Sequence, residues 1–343
     1  MSRPRVAING FGRIGRAFAR VAALDANCPF DIVAANDLTD PATMAYLLRY
    51  DSTHGRFAGQ VEVQGEGENA VLVCGGHRMR LSRGAEPAKL GWAKLGVDLV
   101  IEASGRFTGR IKAAAHLEAG ARRVLISAPG DDKDKPDATV VYGINHGDLR
   151  PEHLVISAAS CTTTCLAPLV HTLDAAFGLR FGTMTTVHAY TSDQVLLDVA
   201  HKKDARRGRS AAQNIVPTST GAARAIGLVL PHLDGRLHGV ALRVPVPDVS
   251  LCDLVIQTER PCDADSANEA LRAAAKAYLP GVLRVEADPV VSSDLIGEST
   301  GSVVDAALTS VQGEHLLKVV SWYDNEWGYA SRLYALACST AAT

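Results

Sequence analysis

The feature that most constrains the fold is a glycine-rich turn near the start of the chain. Residues 6–15 read V-A-I-N-G-F-G-R-I-G, a short apolar strand that runs into the pattern G-x-G-x-x-G. Gly10 permits a tight turn, Gly12 lets a diphosphate approach the backbone, and Gly15 lets the next helix pack close to the strand. Apolar residues then recur at helical spacing, so this segment predicts the strand, turn and helix that open a nucleotide-binding domain.

An acidic residue in the next strand completes the pattern. The run F-D-I-V-A-A-N-D predicts a second strand that ends in Asp37, twenty-two residues after Gly15. A carboxylate in this place accepts hydrogen bonds from the ribose of a dinucleotide. Strand, glycines, helix, strand and acid follow in the required order, which is far more specific than a glycine-rich turn alone.

Alternating strands and helices continue this domain. Buried parallel strands are predicted over residues 97–105 and 123–130, a helix over 112–119, and hairpin-like segments between 61 and 81. This alternation is typical of a doubly wound parallel sheet. Ligands of such sheets bind at the carboxyl ends of the strands, which makes Ser104, Gly105 and Ser127 candidate cofactor neighbours of Asp37.

A cysteine at a predicted helix start is the second informative feature. Cys161 lies in S-A-A-S-C-T-T-T-C, and the following apolar pattern predicts a helix from Ser160 or Cys161 to a stop at Gly178. The positive end of a helix dipole is expected to lower the pKa of the thiol. His188 follows in a β-rich run, and a cysteine near a histidine is the usual pair for covalent thiol catalysis. A small buried core cysteine is the alternative interpretation.

Beyond Cys161 the pattern changes to long alternating strands, which predict an α+β domain. The basic segment 201–209 precedes P-T-S-T-G-A-A, a hydroxyl-rich turn at a helix start that suits an anion. The predicted fold class is therefore α/β. A Rossmann-type doubly wound NAD-binding domain (1–157) precedes an α+β catalytic domain with a mixed or antiparallel sheet (158–322). A C-terminal helix (323–343) is expected to pack back on the NAD-binding domain.

Composition argues against several classes of protein. The chain has 343 residues, of which 47% are hydrophobic, enough for two substantial cores. A net charge of −2 gives no reason to expect nucleic-acid or membrane partners. No apolar run is long enough to span a bilayer, and we expect no signal peptide. The seven cysteines lack disulfide or zinc spacing, so we expect a reducing cytoplasm and no metal.

Taken together, the motifs closely resemble phosphorylating glyceraldehyde-3-phosphate dehydrogenases over essentially the whole chain. The likeness rests on N-G-F-G-R-I-G-R, A-S-C-T-T-T-C, T-T-V-H-A-Y-T, P-T-S-T-G-A-A, R-V-P-V-P-D-V-S and W-Y-D-N-E-W-G-Y, in family order. It implies the glycolytic, NAD-dependent oxidation and phosphorylation of D-glyceraldehyde 3-phosphate to 1,3-bisphosphoglycerate by a cytoplasmic homotetramer.

The resemblance also implies a role for each site residue. Cys161 would attack the aldehyde to give a thiohemiacetal. His188 would take its hydroxyl proton as hydride passes to NAD, and inorganic phosphate would cleave the resulting thioester. The substrate phosphate would be held by Thr191 and Arg243, and the attacking phosphate by Ser160, Thr220 and Gly221, with Thr162 and Arg207 nearby.

For the cofactor, the resemblance implies contacts in the N-terminal domain and near the C-terminus. The N-terminal candidates are Gly10, Phe11, Gly12, Arg13, Ile14, Asp37, Arg83, Ser104, Gly105 and Ser127. Asn325 would hold the nicotinamide carboxamide, and Tyr329 would pack beside the ring. The basic segment 201–209 resembles the loop that, in this family, borders the cofactor of a neighbouring subunit.

Three departures from the family pattern are present. Ala158 and Thr164 stand where the family usually has asparagine, within four residues of the nucleophile. Val199 and Ala200 replace a pair that ends in proline in strict NAD users. This leaves NADP open as a secondary cofactor, although Asp37 would repel its 2′-phosphate.

Other functions stay open on the sequence alone. The nearest alternative is an erythrose-4-phosphate dehydrogenase, against which Thr191 favours the triose enzyme. An inhibitor-resistant or regulatory paralogue is a second alternative, since changes beside Cys161 could protect the thiol from an electrophilic antibiotic. A catalytically silent binding protein is a third, and the retained Cys161, His188, Arg243 and Asn325 argue against it.

Overall fold

The computed structural model describes residues 3–202 and 204–341. Lys203 of the basic segment, residues 1–2 of the predicted NAD-binding domain and residues 342–343 of the predicted C-terminal helix lie outside the described residues. The chain forms two compact units. The first contains the residues up to Tyr142, His146–Ala159 and the residues from Ala330 onward, and the second contains Gly143–Asn145 and Ser160–Tyr329. Within the described residues, no helix is both long and apolar enough to cross a membrane.

The first unit is built around one large sheet. Its strands are β1 (Arg5–Asn9), β2 (Asp31–Asn36), β3 (Val61–Gln64), β4 (Val71–Cys74), β5 (His77–Ser82), β6 (Leu99–Glu102), β7 (Arg123–Ile126), β8 (Ala138–Thr139) and β9 (Val155–Ser157), and its helices include α1 (Arg13–Leu24), α2 (Pro41–Arg49) and α3 (Arg110–Glu118). The strand order is β3-β4-β5-β2-β1-β6-β7-β9-β8. All neighbours from β5 to β8 in this order are parallel, and β3 and β4 form an antiparallel extension. The predicted doubly wound sheet is confirmed.

The turn between β1 and α1 depends on its glycines. Gly10 has a φ of +93°, and a Cβ there would lie 2.4 Å from the backbone nitrogen of Ser104. A Cβ on Gly15 would lie 2.2 Å from the carbonyl oxygen of Gly10. Neither position has room for a side chain. The turn therefore holds α1 against the sheet with its N-terminus at the end of β1.

The second unit contains a mixed sheet. Its strands are β10 (Leu179–Ala189), β11 (Val216–Ser219), β12 (Leu237–Val244), β13 (Ser250–Thr258), β14 (Leu283–Glu286), β15 (Ser302–Asp305), β16 (Ser310–Gln312) and β17 (Leu316–Tyr323), and its helices include α4 (Cys161–Phe177), α5 (Ala222–Val229) and α6 (Ala264–Ala277). The order is β11-β12-β10-β13-β17-β15-β14, with β16 on β17. β10 runs parallel to β12 and antiparallel to β13, as the α+β prediction allows.

Helix α4 begins and ends where its sequence predicts. Ser160 caps it, with its hydroxyl accepting a hydrogen bond from the Thr163 N–H at 3.1 Å. Gly178 terminates it with a φ of +71°, a backbone conformation that favours glycine. The helix buries its apolar residues, so Cys161 is fixed at the N-terminal end of a rigid element.

The C-terminal helix α7 (Trp327–Ala341) lies within the region 323–343 for which the sequence predicts a helix. From Ala330 onward its residues belong to the first unit. Tyr334 contacts the rings of Phe18 and Phe30, with centroid distances of 6.1 and 5.5 Å, and its hydroxyl donates to Asp25 at 2.6 Å. This end of the helix thus completes the apolar core beneath α1.

Candidate active site

A cysteine and a histidine meet in the second unit. Cys161 is the first residue of α4, and His188 lies one residue before the end of β10. The Cys161 Sγ is 3.5 Å from the His188 Nε2. His188 is buried, while Cys161 keeps partial exposure. The sulfur and the imidazole are therefore close enough for a proton to pass directly between them.

The opposite edge of the imidazole faces an arginine. Arg243 on β12 pairs with His188 in the β10–β12 register. Its Nη1 lies 2.6 Å from the His188 Nδ1 and 2.9 Å from the Ala189 carbonyl oxygen. The ring of Tyr323 on β17 contacts the imidazole edge-on at a centroid distance of 5.9 Å. Residues from four elements thus fix the orientation of His188.

Burial keeps both members of the pair neutral. It raises the pKa of the Cys161 thiol to about 11, although the Arg243 charge acts in the opposite direction. It lowers the pKa of His188 to about 3, and the charge of Arg243 lowers that pKa further. The predicted lowering of the thiol pKa is therefore wrong for the protein without substrate, because loss of solvent outweighs the helix terminus. Both shifts favour the uncharged thiol and the uncharged imidazole.

Thr191 and Arg207 lie in the segment that follows β10. Thr191 lies just beyond β10, and its carbonyl oxygen accepts a hydrogen bond from the Gln194 N–H. The residue is partly exposed, and this backbone bond does not involve its side chain. Arg207 donates to Asp193 at 2.5 Å and to the Thr218 hydroxyl at 2.9 Å. The guanidinium is therefore held in place, in a region rich in hydroxyl groups.

A second group of anion candidates lies at helix starts. Ser160 caps α4, and Gly221 is the exposed residue at the start of α5, with the Thr220 hydroxyl accepting from Ala222 N–H at 3.2 Å. Thr162 is placed differently from this group. Its side chain is buried, and its hydroxyl lies 2.8 Å from the Tyr323 hydroxyl. A role for Thr162 in phosphate binding stays a prediction.

Asn325 and Tyr329 are also buried in the second unit. The amide oxygen of Asn325 accepts a hydrogen bond from the Ser250 hydroxyl at 2.6 Å, and that hydroxyl accepts from the Ala189 N–H at 3.1 Å. Burial raises the pKa of Tyr329 well above its usual value, so the ring stays neutral. Ser250 was missed by the sequence reasoning, although it ends the quoted motif R-V-P-V-P-D-V-S.

The first unit has a cavity of about 220 Å³ at the ends of β1 and β2, which Gly10, Gly12, Asp37 and Ser104 help to line. Asp37 accepts hydrogen bonds from the N–H groups of Phe11 at 2.7 Å and Thr39 at 2.9 Å. Burial opposes ionisation, but these bonds lower the pKa of the Asp37 carboxyl below its usual value. A fixed negative charge therefore borders the cavity.

The same cavity has features that suit the diphosphate and a ribose of a dinucleotide. A Cβ built on Gly12 meets no atom within 4 Å, so the space above the first turn of α1 is open to a diphosphate. Arg13, at the start of this helix, forms a two-contact ion pair with Asp51 at 2.5 and 3.2 Å. Ile14 follows in the same turn and is half-buried. Gly105, in the turn after β6, has a φ of +69°, and its neighbours Ser104 and Arg106 line the cavity.

Two other cofactor candidates do not line this cavity. Arg83 donates to the Leu38 carbonyl oxygen at 3.1 and 2.9 Å and lines a neighbouring cavity of about 660 Å³. Ser127 follows β7, where its N–H donates to the Glu102 carbonyl oxygen at 2.9 Å. Arg83 thus stabilises the backbone beyond Asp37, and the structure assigns Ser127 no cavity contact.

Sequence reasoning missed a buried polar network behind the cavity. The carboxylate of Glu102 accepts from the Asn9 amide at 2.6 Å and from the N–H and hydroxyl of Ser104 at 2.8 and 2.5 Å. His116 lies 2.9 Å from the same carboxylate and receives the indole N–H of Trp92 at 3.0 Å. A charged residue inside the apolar strand V-D-L-V-I-E-A-S-G was the available signal. The network holds the Ser104 turn that forms the cavity wall.

Comparison with known proteins places most of the chain in one protein family. Residues 4–110 match the model for the glyceraldehyde 3-phosphate dehydrogenase NAD binding domain, and residues 160–325 match the model for the C-terminal domain. The chain is 52% identical to glyceraldehyde-3-phosphate dehydrogenase of Kitasatospora aureofaciens over 330 residues, covering 96% of each chain. It is 49% identical to the enzyme of Geobacillus stearothermophilus over 339 residues, covering 98% of each. The chloroplastic A enzyme of Chlamydomonas reinhardtii is 49% identical over 98% of this chain and 88% of its own length.

Proposed function

The chain belongs to the glyceraldehyde-3-phosphate dehydrogenase family, and we propose that Cys161 is its nucleophile and His188 its acid–base catalyst. Its activity is the NAD-dependent oxidation of glyceraldehyde 3-phosphate. The observation that carries the residue assignment is the 3.5 Å contact between the Sγ of Cys161, a partly exposed residue, and the Nε2 of the buried His188. A neutral imidazole beside the sulfur is able to accept a proton, which a nucleophile with a raised pKa requires.

The chemistry proceeds through a bond between Sγ and the aldehyde carbon. As this bond forms, the thiol proton passes to the carbonyl oxygen by way of the His188 Nε2, which gives a thiohemiacetal. His188 then removes the hydroxyl proton, and the carbon–oxygen double bond re-forms as a thioester. Bound NAD supplies the acceptor for the hydride lost from that carbon. Inorganic phosphate attacks the thioester carbon, and the sulfur leaves with a proton returned by His188.

Two groups of this chain can stabilise the oxygen as it becomes negative. The N–H of Cys161 is one of the orphan donors in the first turn of α4, next to the sulfur itself. The protonated Nε2 of His188 is the second donor. Removing one such donor from related acyl-transfer sites costs about a hundredfold or more in turnover. The position of Cys161 at a helix start therefore serves the transition state, even though it does not ionise the resting thiol.

Thr191 and Arg243 are our candidates for the phosphate of the substrate. Arg243 is a half-buried arginine beside the reacting pair, and it presents donors that match phosphate oxygens. For the attacking phosphate we assign Ser160, Thr220 and Gly221, with Arg207 nearby. The helix starts at α4 and α5 support this assignment.

NAD is the cofactor, and the first unit supplies the groups that would hold it. The N-terminus of α1 suits the diphosphate, and the Asp37 carboxylate suits a ribose with free hydroxyls. Because Asp37 is ionised and would repel a 2′-phosphate, we assign NADP only secondary use. The ratio of kcat/KM for NAD and NADP measures this, and a preference for NADP would show that Asp37 does not control selection.

Kinetics with two aldehydes separates the triose enzyme from its erythrose-4-phosphate relative. We expect phosphate-dependent NADH formation with glyceraldehyde 3-phosphate at a kcat/KM at least about tenfold above that with erythrose 4-phosphate, which is about 1.4 kcal/mol of discrimination. A higher value for erythrose 4-phosphate would overturn the substrate assignment.

Assembly and location belong to the same proposal. Leu196, Leu197 and Ile215 are 81, 79 and 67% exposed. Exposing large apolar side chains to water is unfavourable, which supports the burial of these residues against another copy of the chain in a homotetramer. All seven cysteines, each within the described residues, are free thiols, which supports a cytoplasmic location. Light scattering tests the assembly: a tetramer is expected, and conversion to smaller species by Leu196→Asp with Leu197→Asp. A monomeric native protein would contradict it.

A further inference from the structure

A buried carboxylate lies behind the wall of the cavity at the ends of β1 and β2. Glu102 on β6 is 1% exposed, and two residues that line the cavity, Asn9 and Ser104, donate hydrogen bonds to it. Its Oε1 accepts from the N–H and the hydroxyl of Ser104, and its Oε2 accepts from the Asn9 amide at 2.6 Å. The Nε2 of His116 on α3 also lies 2.9 Å from Oε2. Because burial removes water from the carboxylate, these protein groups must take over its solvation.

Trp92 decides which nitrogen of His116 carries the proton. An indole N–H can only donate, and that of Trp92 lies 3.0 Å from the His116 Nδ1. Nδ1 therefore accepts, and the proton of the imidazole is on Nε2, where it points at the Glu102 carboxylate. His116 is 0% exposed, so no water competes for either nitrogen. Every group that contacts the carboxylate is thus a donor, as an ionised glutamate requires.

The same carboxylate sets the orientation of two amides on the other side of the cavity. The Asn9 amide nitrogen is engaged by Glu102, so the Asn9 Oδ1 faces the Asn36 amide nitrogen and accepts from it at 2.8 Å. The Asn36 Oδ1 in turn accepts from the Ser82 hydroxyl and the Gly84 N–H, both at 2.8 Å. Asn9, Asn36 and Gly84 all line the cavity. The hydrogen bonds therefore run in one direction, from the Gly84 turn through both amides to the carboxylate.

We propose that Glu102 is a positioning residue for NAD. Its negative charge orients Ser104 on one side of the cavity and the two asparagines on the other, while His116 and Trp92 hold the carboxylate in place. The inference rests on the proposed binding of NAD in this cavity. It adds that a group behind the wall, without contact to the cofactor, determines the affinity for NAD.

An isosteric change of the carboxylate tests the proposal. Glu102→Gln places an amide nitrogen where only acceptors fit, which leaves at least one buried donor without a partner. The Kd and KM for NAD should rise about tenfold, while kcat at saturating NAD and the KM for glyceraldehyde 3-phosphate should stay within about twofold. Glu118→Gln, at the exposed end of α3, is the matched control and should change none of these values. An unchanged KM for NAD in Glu102→Gln, or a loss confined to kcat, would overturn the proposal.

A second variant leaves the carboxylate intact and keeps the test decisive if Glu102→Gln does not fold. Trp92→Phe removes only the donor that fixes the His116 proton on Nε2. The KM for NAD should rise about threefold at unchanged kcat, the effect of losing one hydrogen bond in the network. Trp322→Phe is its control, because it also removes an indole hydrogen bond, to Asp305 in the second unit, and it should leave the KM for NAD unchanged. Equal effects of Trp92→Phe and Trp322→Phe on the KM for NAD would overturn the proposal.

Failure of the cavity assignment and failure of this proposal can be told apart with Gly12→Ala. If NAD does not bind in this cavity, Gly12→Ala and Glu102→Gln both leave the Kd for NAD unaltered. If only the positioning role is wrong, Gly12→Ala weakens NAD binding and Glu102→Gln does not.

Discussion

The cofactor cavity of the first unit and the reactive pair of the second use charge in opposite ways. At Asp37 and Asp51, burial favours the neutral acid, but backbone hydrogen bonds outweigh it and lower both carboxyl pKa values. At Cys161 and His188, burial is the larger effect and keeps thiol and imidazole uncharged. In the first region hydrogen bonds therefore stabilise charged groups, whereas in the second region burial favours uncharged groups.

The largest effect should follow a change of the sulfur. Cys161→Ser should reduce kcat/KM by at least about a thousandfold, because serine at this site is a far weaker nucleophile, while the fold stays intact. Cys262→Ser is the matched control, since Cys262 is also partly exposed, and it should keep full activity. Near-wild-type turnover in Cys161→Ser, or equal iodoacetamide labelling of all seven cysteines, would show that Cys161 is not the nucleophile.

Substitutions at two glycines of the β1–α1 turn should affect cofactor binding and stability separately. Gly12→Ala places a methyl group in open space, so thermal unfolding of the free protein should be unchanged, while the Kd for NAD should rise about tenfold or more, roughly 1.4 kcal/mol. Gly10→Ala combines a positive φ with a 2.4 Å backbone clash and should lower the free energy of unfolding by several kcal/mol, on the order of 3.

Gly147→Ala is the control for this pair, because a Cβ there also meets no atom within 4 Å. It should change neither the melting temperature nor the Kd for NAD measured by fluorescence titration. Unaltered NAD affinity in Gly12→Ala would show that the cofactor does not approach the start of α1.

The contribution of the Asp51 charge to the stability of the first unit should depend on pH. Burial alone would raise the pKa of its carboxyl, but hydrogen bonds from His54, Thr53 and Arg13 lower it to about 2. A lowered pKa contributes stability that is present above the usual value of 3.8 and is lost as the pH falls towards 2. Asp51→Asn should therefore cost about 2 kcal/mol of unfolding free energy at pH 7 and less at pH 2.5.

Denaturant titrations at the two pH values measure that difference. The exposed Asp148 offers a control, and Asp148→Asn should change the unfolding free energy by no more than about 0.5 kcal/mol. If Asp51→Asn costs the same at both pH values, its charge contributes nothing and only its packing matters.

The smallest effects are expected beside the nucleophile. Ala158 is 4% exposed and packs in the apolar core of the first unit, and Thr164 is buried in the first turns of α4. Restoring asparagine at both positions should change turnover by less than about threefold, under 1 kcal/mol, because no proposed proton-transfer or phosphate-binding group is altered. The inactivation rates with iodoacetamide and with an epoxide should change more, because the surroundings of Cys161 must repack. Unchanged turnover together with unchanged inactivation would favour neutral drift over tuning.

Local features of this chain could be predicted, and long-range ones could not. The G-x-G-x-x-G turn and the bounds of α4 depend on neighbouring residues, so Gly10, Ser160 and Gly178 were readable from sequence. The contact of Arg243 with His188 joins residues 55 apart, and that of Thr162 with Tyr323 joins residues 161 apart. Such contacts follow from strand order and register, which no local pattern contains.

The direction of the thiol pKa shift was wrong for the same reason. The helix start beside Cys161 is a local feature, and it predicts a lowered pKa. Burial by strands from distant parts of the sequence is a tertiary effect, and it dominates. Charged residues inside apolar strands, such as Glu102, were the one local sign of such tertiary networks.

A single-turnover experiment tests the central claim most directly. The protein is mixed with NAD and glyceraldehyde 3-phosphate without inorganic phosphate, quenched in acid, digested and examined by mass spectrometry. The account predicts a burst of NADH stoichiometric with chains and a 3-phosphoglyceroyl thioester on the Cys161 peptide, which disappears when inorganic phosphate is added before the quench. An acyl group on another residue, or a full NADH burst with no acyl group on Cys161, would contradict it.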